Sequence, residues 1–578
     1  MPVAQHKAWK ACRKGRVRTS SMGSCLFKPL NKVEPKRLVR VEQGMVEGTA
    51  LVTSQGSQCE VYLGIPYAKP PVGELRFQKP QPPDSWDDVL KCKKFPSRSV
   101  QKDMMWDKVM SSASQSEDCL YLNVFAPAVE EGNNKKHPVL FYIHGGGWLM
   151  DSAEKYTPKN VCRLLVSKGI VVVTIHYRLG YLGFMSTGDS VCKGNFGLWD
   201  MLEALKWTHA NIEAFGGDPK NITLSGQSAG AASADLLSIS PLARGLFNKK
   251  ILMGGNSYCH WATTKPAEIR EYCRRKAIKL GYKPRDSYSS TTEESADIFD
   301  FFKRQPAEKL ETTMFFSKTI FTKCKLPLAP VIDGEILPES LSQLRANAPQ
   351  VPSIVGGGEY ESLLFIAIGL LRCSAKDVAH AIDEVSTRSG YAKSFVQKCA
   401  QQLYGDSQDV RNNAKKRKRM YVEMISDIFF NYANYRLMDE QKKAGNNNCY
   451  AFCFEHTSKN VWGWLQHVVP FTGGTHTSDV TYLFDCNYMN APLPMDKQDR
   501  VVSDVMTRYF AQFVKSGNPN EKSTNGAELP QWTPIQNDDT EMKTLCFNLE
   551  PQMKTKEYIQ RMRQLQEERS KIPSIQIS

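Results

Sequence analysis

A buried strand that must stop at a serine and restart at once as a helix is the tightest constraint in this sequence. Asn221-Ile-Thr-Leu-Ser-Gly-Gln-Ser-Ala-Gly230 reads as the end of a strand (Ile222 to Leu224) running into the pattern G-x-S-x-G. Ala231, Ala232 and Ser233 then open a helix. Glycine is wanted at 226 and 230 because so sharp a turn leaves no room for side chains beside the serine. Ser228 is expected to stand at the strand's end as a nucleophile. Far upstream, the apolar run Val139-Leu-Phe-Tyr-Ile143 leads straight into His144-Gly-Gly-Gly147. Glycines after a strand expose backbone N–H groups with no side chains in the way, which is what holding an oxyanion requires.

The net charge of +15 suggests a nucleic-acid partner until it is located. Residues 1–40 carry eleven Lys or Arg against one acid, Glu34, and Lys415-Lys-Arg-Lys-Arg419 adds five more cations, so the rest of the chain is close to neutral. With no helix-turn-helix, zinc-finger or RNP pattern beside it, this charge predicts no nucleic-acid binding. Lys415 to Arg419 abut Met420 to Met438, whose apolar spacing is helical, so they read as a solvated helix entrance. Sixteen cysteines, scattered without CxxC or histidine clustering, read as buried free thiols, with no metal and no cofactor implied.

Residues 1–40 read as a basic, disordered arm without the apolar core of a secretory signal, and no apolar run is long enough to span a bilayer. A cytoplasmic protein is therefore expected rather than a secreted one. A transit peptide is an alternative for the arm. So is a shorter form begun at Met22, which would offer Gly23 for myristoylation and Cys25 for palmitoylation beside basic residues, giving peripheral membrane attachment. Residues 41–578 read as one catalytic domain of α/β class with a C-terminal helix. Within it, Ile170-Val-Val-Val-Thr-Ile175 has the continuous β-branched character of a central parallel strand, and Leu198 to Phe215 has helical spacing.

Further landmarks are Gly64-Ile-Pro-Tyr-Ala68, Gly73-Glu-Leu-Arg-Phe77, Ser116-Glu-Asp-Cys-Leu-Tyr-Leu-Asn123, Tyr177-Arg-Leu-Gly180, Asn195-Phe-Gly-Leu-Trp-Asp200, Phe215-Gly-Gly-Asp-Pro219 and Gly517-Asn-Pro-Asn520. With the elbow and His144-Gly-Gly-Gly147, they make the chain resemble the carboxylesterase/cholinesterase family, the type-B carboxylesterases, over roughly residues 41 to 550. The resemblance implies an α/β-hydrolase fold: a large, mostly parallel sheet flanked by helices on both faces, with helical lid insertions, here at 265–325. It also implies a buried Arg76–Glu117 ion pair.

The family keeps its catalytic acid in a D-E-G context, matched here by Tyr360-Glu361-Ser362. Counting back from Leu363-Leu-Phe365 puts the acid at Glu361, with Glu359 as rival. The family's G-x-x-H-x-x-E/D segment matches Gly473-Gly-Thr-His-Thr-Ser-Asp479, making His476 the base, with His467 the competitor. The implied chemistry is acyl transfer to Ser228 from an ester, His476 moving the proton, Glu361 holding the imidazole, and N–H groups of Gly146, Gly147 and Ala229 binding the oxyanion.

Two departures are informative. Gln227 stands where many relatives have glutamate, which disfavours cationic esters and favours small or medium uncharged ones. Ser99 stands where the family has a half-cystine for the counterpart of Cys119, with Cys92 nearby. Trp106 is a packing aromatic or a cation–π partner for a cationic substrate. Alternatives to the carboxylesterase reading are a choline- or lipid-ester hydrolase, and a non-catalytic adhesion or scaffold protein on the same fold.

Overall fold

The computed structural model describes residues 37–103, 107, 111–128, 135–312, 325–326, 328–368, 383, 397, 400, 412–486, 494–521, 529–536 and 541–570. Gly23, Cys25 and Trp106, and most of the basic arm, lie outside them.

Eleven strands form one sheet: β1 (Thr49–Val52), β2 (Gln58–Pro66), β3 (Tyr121–Pro127), β4 (His137–Ile143), β5 (Val171–Ile175), β6 (Gly217–Gln227), β7 (Lys249–Met253), β8 (Ser353–Gly358), β9 (Cys449–Phe454), β10 (Thr544–Phe547) and β11 (Gln552–Lys554). Their order across the sheet is β11-β10-β9-β8-β7-β6-β4-β5-β3-β2-β1. Strands β4 to β10 run parallel, and the antiparallel pairs sit at the two edges. Every residue of β5 is buried, as a strand covered on both faces requires. The apolar core accordingly divides into two clusters. Phe141, Leu224 and Leu252 belong to one, and Tyr142, Ile251 and Phe452 to the other, as the alternation of side chains along neighbouring strands dictates.

The helices that matter for the site are α1 (Phe196–Asn211), α2 (Ala229–Ile239), α3 (Ala414–Ser426), α4 (Tyr432–Lys443) and α5 (Lys497–Ser516). The Lys415 to Arg419 run forms the first turns of α3, with Lys415, Lys416, Lys418 and Arg419 exposed and Arg417 half-buried. The strand Leu38–Val41 lies largely within the span 1–40 read as a basic arm, so the end of that span is β-strand. All eleven described cysteines are buried free thiols. Cys92 and Cys119 are among them, and the Ser99 hydroxyl instead donates to the Tyr177 carbonyl at 2.6 Å. The Arg76 guanidinium donates to Glu117 from Nε at 2.7 Å and also from Nη2, with each side chain about 15% exposed. Among the described residues no helix is long and apolar enough to cross a membrane.

Candidate active site

The site is built where parallel strands end. β6 stops at Gln227, and Ser228 turns the chain into α2 with φ 57° and ψ −125°, a backbone conformation few non-glycine residues adopt. Two bonds fix that turn: the Ser228 N–H donates to the Met253 carbonyl at 2.8 Å, and the Ser228 carbonyl accepts from the Ala232 N–H at 2.9 Å. The flanking glycines are required by contact. A Cβ on Gly226 would stand 2.3 Å from the carbonyl carbon of Gly230, and one on Gly230 would stand 2.1 Å from the Ile143 carbonyl oxygen.

The strand pairing β4–β6 carries the glycine loop to the serine. Gly226 pairs with Ile143, so His144-Gly-Gly-Gly147 leaves the sheet beside the elbow, and a Cβ on Gly145 would lie 3.0 Å from Ser228 Cβ. Gly146 and Gly147 have φ of 90° and 64°, and a Cβ on Gly146 would collide with the Met150 carbonyl oxygen. Ala229 supplies the first N–H of α2.

Ser228, His476 and Glu361 are brought together from three distant parts of the chain. The Ser228 Oγ lies 2.8 Å from His476 Nε2, and His476 Nδ1 makes a short bond to the Glu361 carboxylate. Glu361 follows β8, and its other oxygen accepts from the Gly358 N–H at 2.6 Å. The His476 N–H donates to the Glu361 carbonyl at 3.3 Å, and the Thr475 hydroxyl donates to it at 3.2 Å, so base and acid are tied through backbone as well as side chain. The rivals are placed elsewhere. The Glu359 carboxylate takes the Lys556 ammonium at 2.8 Å, and His467 is exposed at the end of a short turn.

Several wall residues carried no local signal. The Phe430 and Phe365 rings pack on the His476 imidazole at 4.7 and 5.2 Å between centroids. Phe430 reaches it from a single π-helical turn, Asp427–Asn431, between α3 and α4, the kind of helical irregularity often found at functional sites. Trp261 and Trp148 continue the aromatic wall, each step 5.8 Å. Gly254 and Gly357 let the triad close in: a Cβ on Gly254 would lie 3.2 Å from His476 Nδ1, and one on Gly357 would lie 2.2 Å from Glu361 Oε1. Repeated glycines after β7 and within β8 were the available sign of this crowding.

Electrostatically, the crevice keeps surplus charge away from the base. Asp479 is buried, and burial, with the Glu361 charge adding to it, pushes its carboxyl well above the usual range. Burial drives the His176 imidazole down to about 3 and lowers His144, leaving both neutral. Gln227 is buried rather than facing solvent, and its amide nitrogen sits 3.3 Å from His476 Nε2. Among the described residues no group of three His, Cys, Asp or Glu side chains is placed to hold a metal ion.

The chain is similar to known esterases and lipases over most of its length. Esterase cest-33 of Caenorhabditis elegans is 35% identical over 483 residues, covering 82% of this chain and 83% of its own. Bovine bile salt-activated lipase is 31% identical over 518 residues, 87% of this chain and 82% of its own, and mouse pyrethroid hydrolase Ces2a is 29% identical over 511 residues, 86% of each. The model of the carboxylesterase family matches residues 35–566, and the chain belongs to that family.

Proposed function

We propose that this family member hydrolyses uncharged carboxylic esters of small to medium size through an acyl-enzyme on Ser228. The observation that carries the reading is the pair of contacts on one imidazole: Ser228 Oγ at 2.8 Å from Nε2 and Glu361 bonded to Nδ1. A serine hydroxyl holds its proton at neutral pH and attacks only when a base takes that proton as the new bond forms.

In this arrangement Ser228 Oγ bonds to the ester carbonyl carbon while its proton passes to His476 Nε2. The carbonyl π electrons move onto oxygen, where the N–H groups of Gly146, Gly147 and Ala229 receive the charge, each such donor being worth roughly 10²–10³ in rate. Collapse breaks the carbon–alkoxy bond, and the imidazolium returns its proton to the departing alcohol. Water repeats the sequence on the acyl-enzyme, releasing the acid and restoring Ser228. Glu361 holds the imidazole in the tautomer that presents a bare Nε2 to the serine and stabilises the imidazolium that forms.

The neutral amide of Gln227 and the aromatic wall of Phe430, Phe365 and Trp261 favour uncharged substrates over choline esters. Peripheral membrane attachment through acylation of Gly23 and Cys25, in a chain begun at Met22, is a separate proposal that incorporation of labelled myristate tests.

The decisive experiment is hydrolysis of p-nitrophenyl butyrate by the wild type and by Ser228→Ala, with an organophosphate labelling 228 in the folded wild type. Equal, background-level rates in both proteins and no label at 228 would leave the scaffold reading in place instead.

A further inference from the structure

The glycine loop beside the elbow is anchored at more than one place. The Tyr177 hydroxyl donates to the His144 carbonyl at 2.9 Å, and the Gly180 N–H donates to the Trp148 carbonyl at 2.7 Å. Past Trp148 the chain turns back on itself. The N–H groups of Leu149 and Met150 donate to the Gly146 carbonyl at 3.1 and 3.3 Å, and a Cβ on Gly146 would stand 2.9 Å from Asp151 Cβ as well as meeting the Met150 carbonyl. Gly146 therefore rests directly on the Met150–Asp151 peptide.

That peptide is set by a residue in an unfavourable conformation. Asp151 has φ 92°, a positive value that side chains other than glycine seldom adopt. Such a conformation persists only where the surroundings over-determine it. The Gln101 side chain, 2% exposed, meets the Asp151 main chain edge to edge, Oε1 accepting from its N–H at 2.7 Å and Nε2 donating to its carbonyl at 3.0 Å. Nε2 gives its other hydrogen to the Ser99 carbonyl at 3.2 Å, so the reverse orientation of the amide would set its oxygen against two carbonyls. The Asp151 carboxylate accepts from the Ser152 N–H at 2.8 Å and from the Lys155 ammonium at 3.0 Å, and Lys155 also reaches Asp107 at 3.2 Å. Burial opposes the charge on Asp151, but the ammonium beside it holds the carboxyl below its usual range. None of these bonds has a step in the ester chemistry.

We propose that Gln101 and Asp151 are positioning residues for the oxyanion site: by locking residue 151 at its positive φ they hold the Met150–Asp151 peptide under Gly146, and so fix where the Gly146 and Gly147 N–H groups point. The inference rests on the ester-hydrolase reading of Ser228. Donors aimed in advance at a developing negative charge act on the transition state far more than on the bound ester, so a loosened loop lowers kcat and leaves KM nearly alone.

The test compares Gln101→Met, Asp151→Ala and Asp151→Asn with the wild type, below the onset of thermal unfolding, on p-nitrophenyl butyrate and on two inhibitors. Hexyl trifluoromethyl ketone takes Ser228 Oγ onto its carbonyl carbon and places an oxyanion in the hole; hexyl methyl ketone scarcely does. Gln101→Met removes both main-chain bonds at similar volume. The Asp151 variants leave Lys155 paired with Asp107, so no buried ammonium is stranded should Gln101→Met fail to fold. Since one lost donor is worth roughly 10²–10³, Gln101→Met and Asp151→Ala should lower kcat by about 10–100-fold with KM within about threefold. The preference for the trifluoromethyl over the methyl ketone should fall by a similar factor. Asp151→Asn, which tolerates positive φ and keeps an oxygen for the Ser152 N–H, should recover most of both losses. Folded Gln101→Met or Asp151→Ala with wild-type kcat, or with reduced kcat and an unchanged ketone preference, overturns the proposal while the hydrolase reading stands. A wild type that neither cleaves the ester nor distinguishes the ketones removes the hydrolase reading, and this inference with it.

Discussion

Glu361 and Asp235 are buried alike, each with at most 1% of its surface exposed, yet they sit in opposite kinds of company. Glu361 faces an imidazole, whose charge comes and goes, and a backbone N–H from Gly358. Asp235 faces two permanent cations and the Ser257 N–H. Burial magnifies both interactions, because the surroundings are poorly polarisable. Against a partner that can lose its proton, a buried carboxylate steers proton transfer. Against partners that stay charged it becomes a brace between α2, β7 and the segment around Arg345. The same helix carries both roles, Ser228 at its head and Asp235 two turns on.

The contrast breaks or holds first on activity. Ser228→Ala should reduce kcat for p-nitrophenyl butyrate by about 10⁴–10⁶ with unfolding unchanged, since it removes only a hydroxyl at the strand's end. Glu361→Gln should cost about 10⁴ in kcat while leaving the fold largely intact, because the amide fits the space and presents the wrong tautomer to His476.

Asp235→Ala should do the reverse. With Lys250 and Arg345 left facing each other, a loss of about 3–5 kcal/mol in urea unfolding is expected, with kcat of the folded fraction changed far less than by Glu361→Gln. If Asp235→Ala silenced a stably folded protein, or Glu361→Gln unfolded it without silencing it, the division into steering and bracing carboxylates would be wrong.

How much of this was legible beforehand follows the same division. Ser228 could be located because the sharp elbow leaves local marks in Gly226 and Gly230, whereas Glu361 and His476 were placed by resemblance to the family's acid and histidine segments, with Leu363-Leu-Phe365 as a ruler for the acid. The sheet was equally legible, since a strand such as Val171–Ile175, buried on both faces, must be apolar throughout. The brace was not. Lys249-Lys250 looks like a pair of surface cations ahead of an apolar strand, and nothing near it names Asp235, 15 residues back, or Arg345, which lies 110 residues beyond Asp235. Phe430 was hidden for a different reason. A π-helical turn shifts the register of an otherwise regular helical pattern, so periodicity alone points the ring the wrong way.

Asp499 sharpens the comparison, since it has Glu361's kind of partners and serves structure. It caps α5 through a reciprocal box with Asp496 and accepts from His456 Nε2 at 2.9 Å, the Ser458 hydroxyl at 2.8 Å and the Tyr482 hydroxyl at 2.6 Å. Burial opposes the charge, but these donors, His456 foremost, hold the carboxyl down at about 2. A depressed carboxyl stabilises the fold above its unfolded value near 4 and loses that contribution as pH falls toward 2. Asp499→Asn should therefore cost about 2 kcal/mol at pH 7, and the gap to wild type should close between pH 4 and pH 2 in acid-titrated unfolding. A gap that stays constant with pH would mean the side chain acts by shape and not by charge.

The smallest effect is expected at Gln227, whose amide touches the base without belonging to the triad. At 3.3 Å from His476 Nε2, the neutral Gln227 amide adds no charge beside the imidazole. Gln227→Glu would place a second anion there, almost isosterically, and an anion at that range favours the protonated imidazole, which cannot accept the proton of Ser228. The acidic limb of the kcat/KM profile should move to higher pH, so activity is lost earlier on acidification while the alkaline plateau is nearly kept. The same anion should improve a choline ester relative to p-nitrophenyl butyrate by up to about fivefold, the size of an attraction of about 1 kcal/mol across a hydrated crevice. An unmoved acidic limb with unchanged preference would show that the Gln227 side chain is screened from both base and substrate, and that the neutrality of this position has no part in selecting uncharged esters.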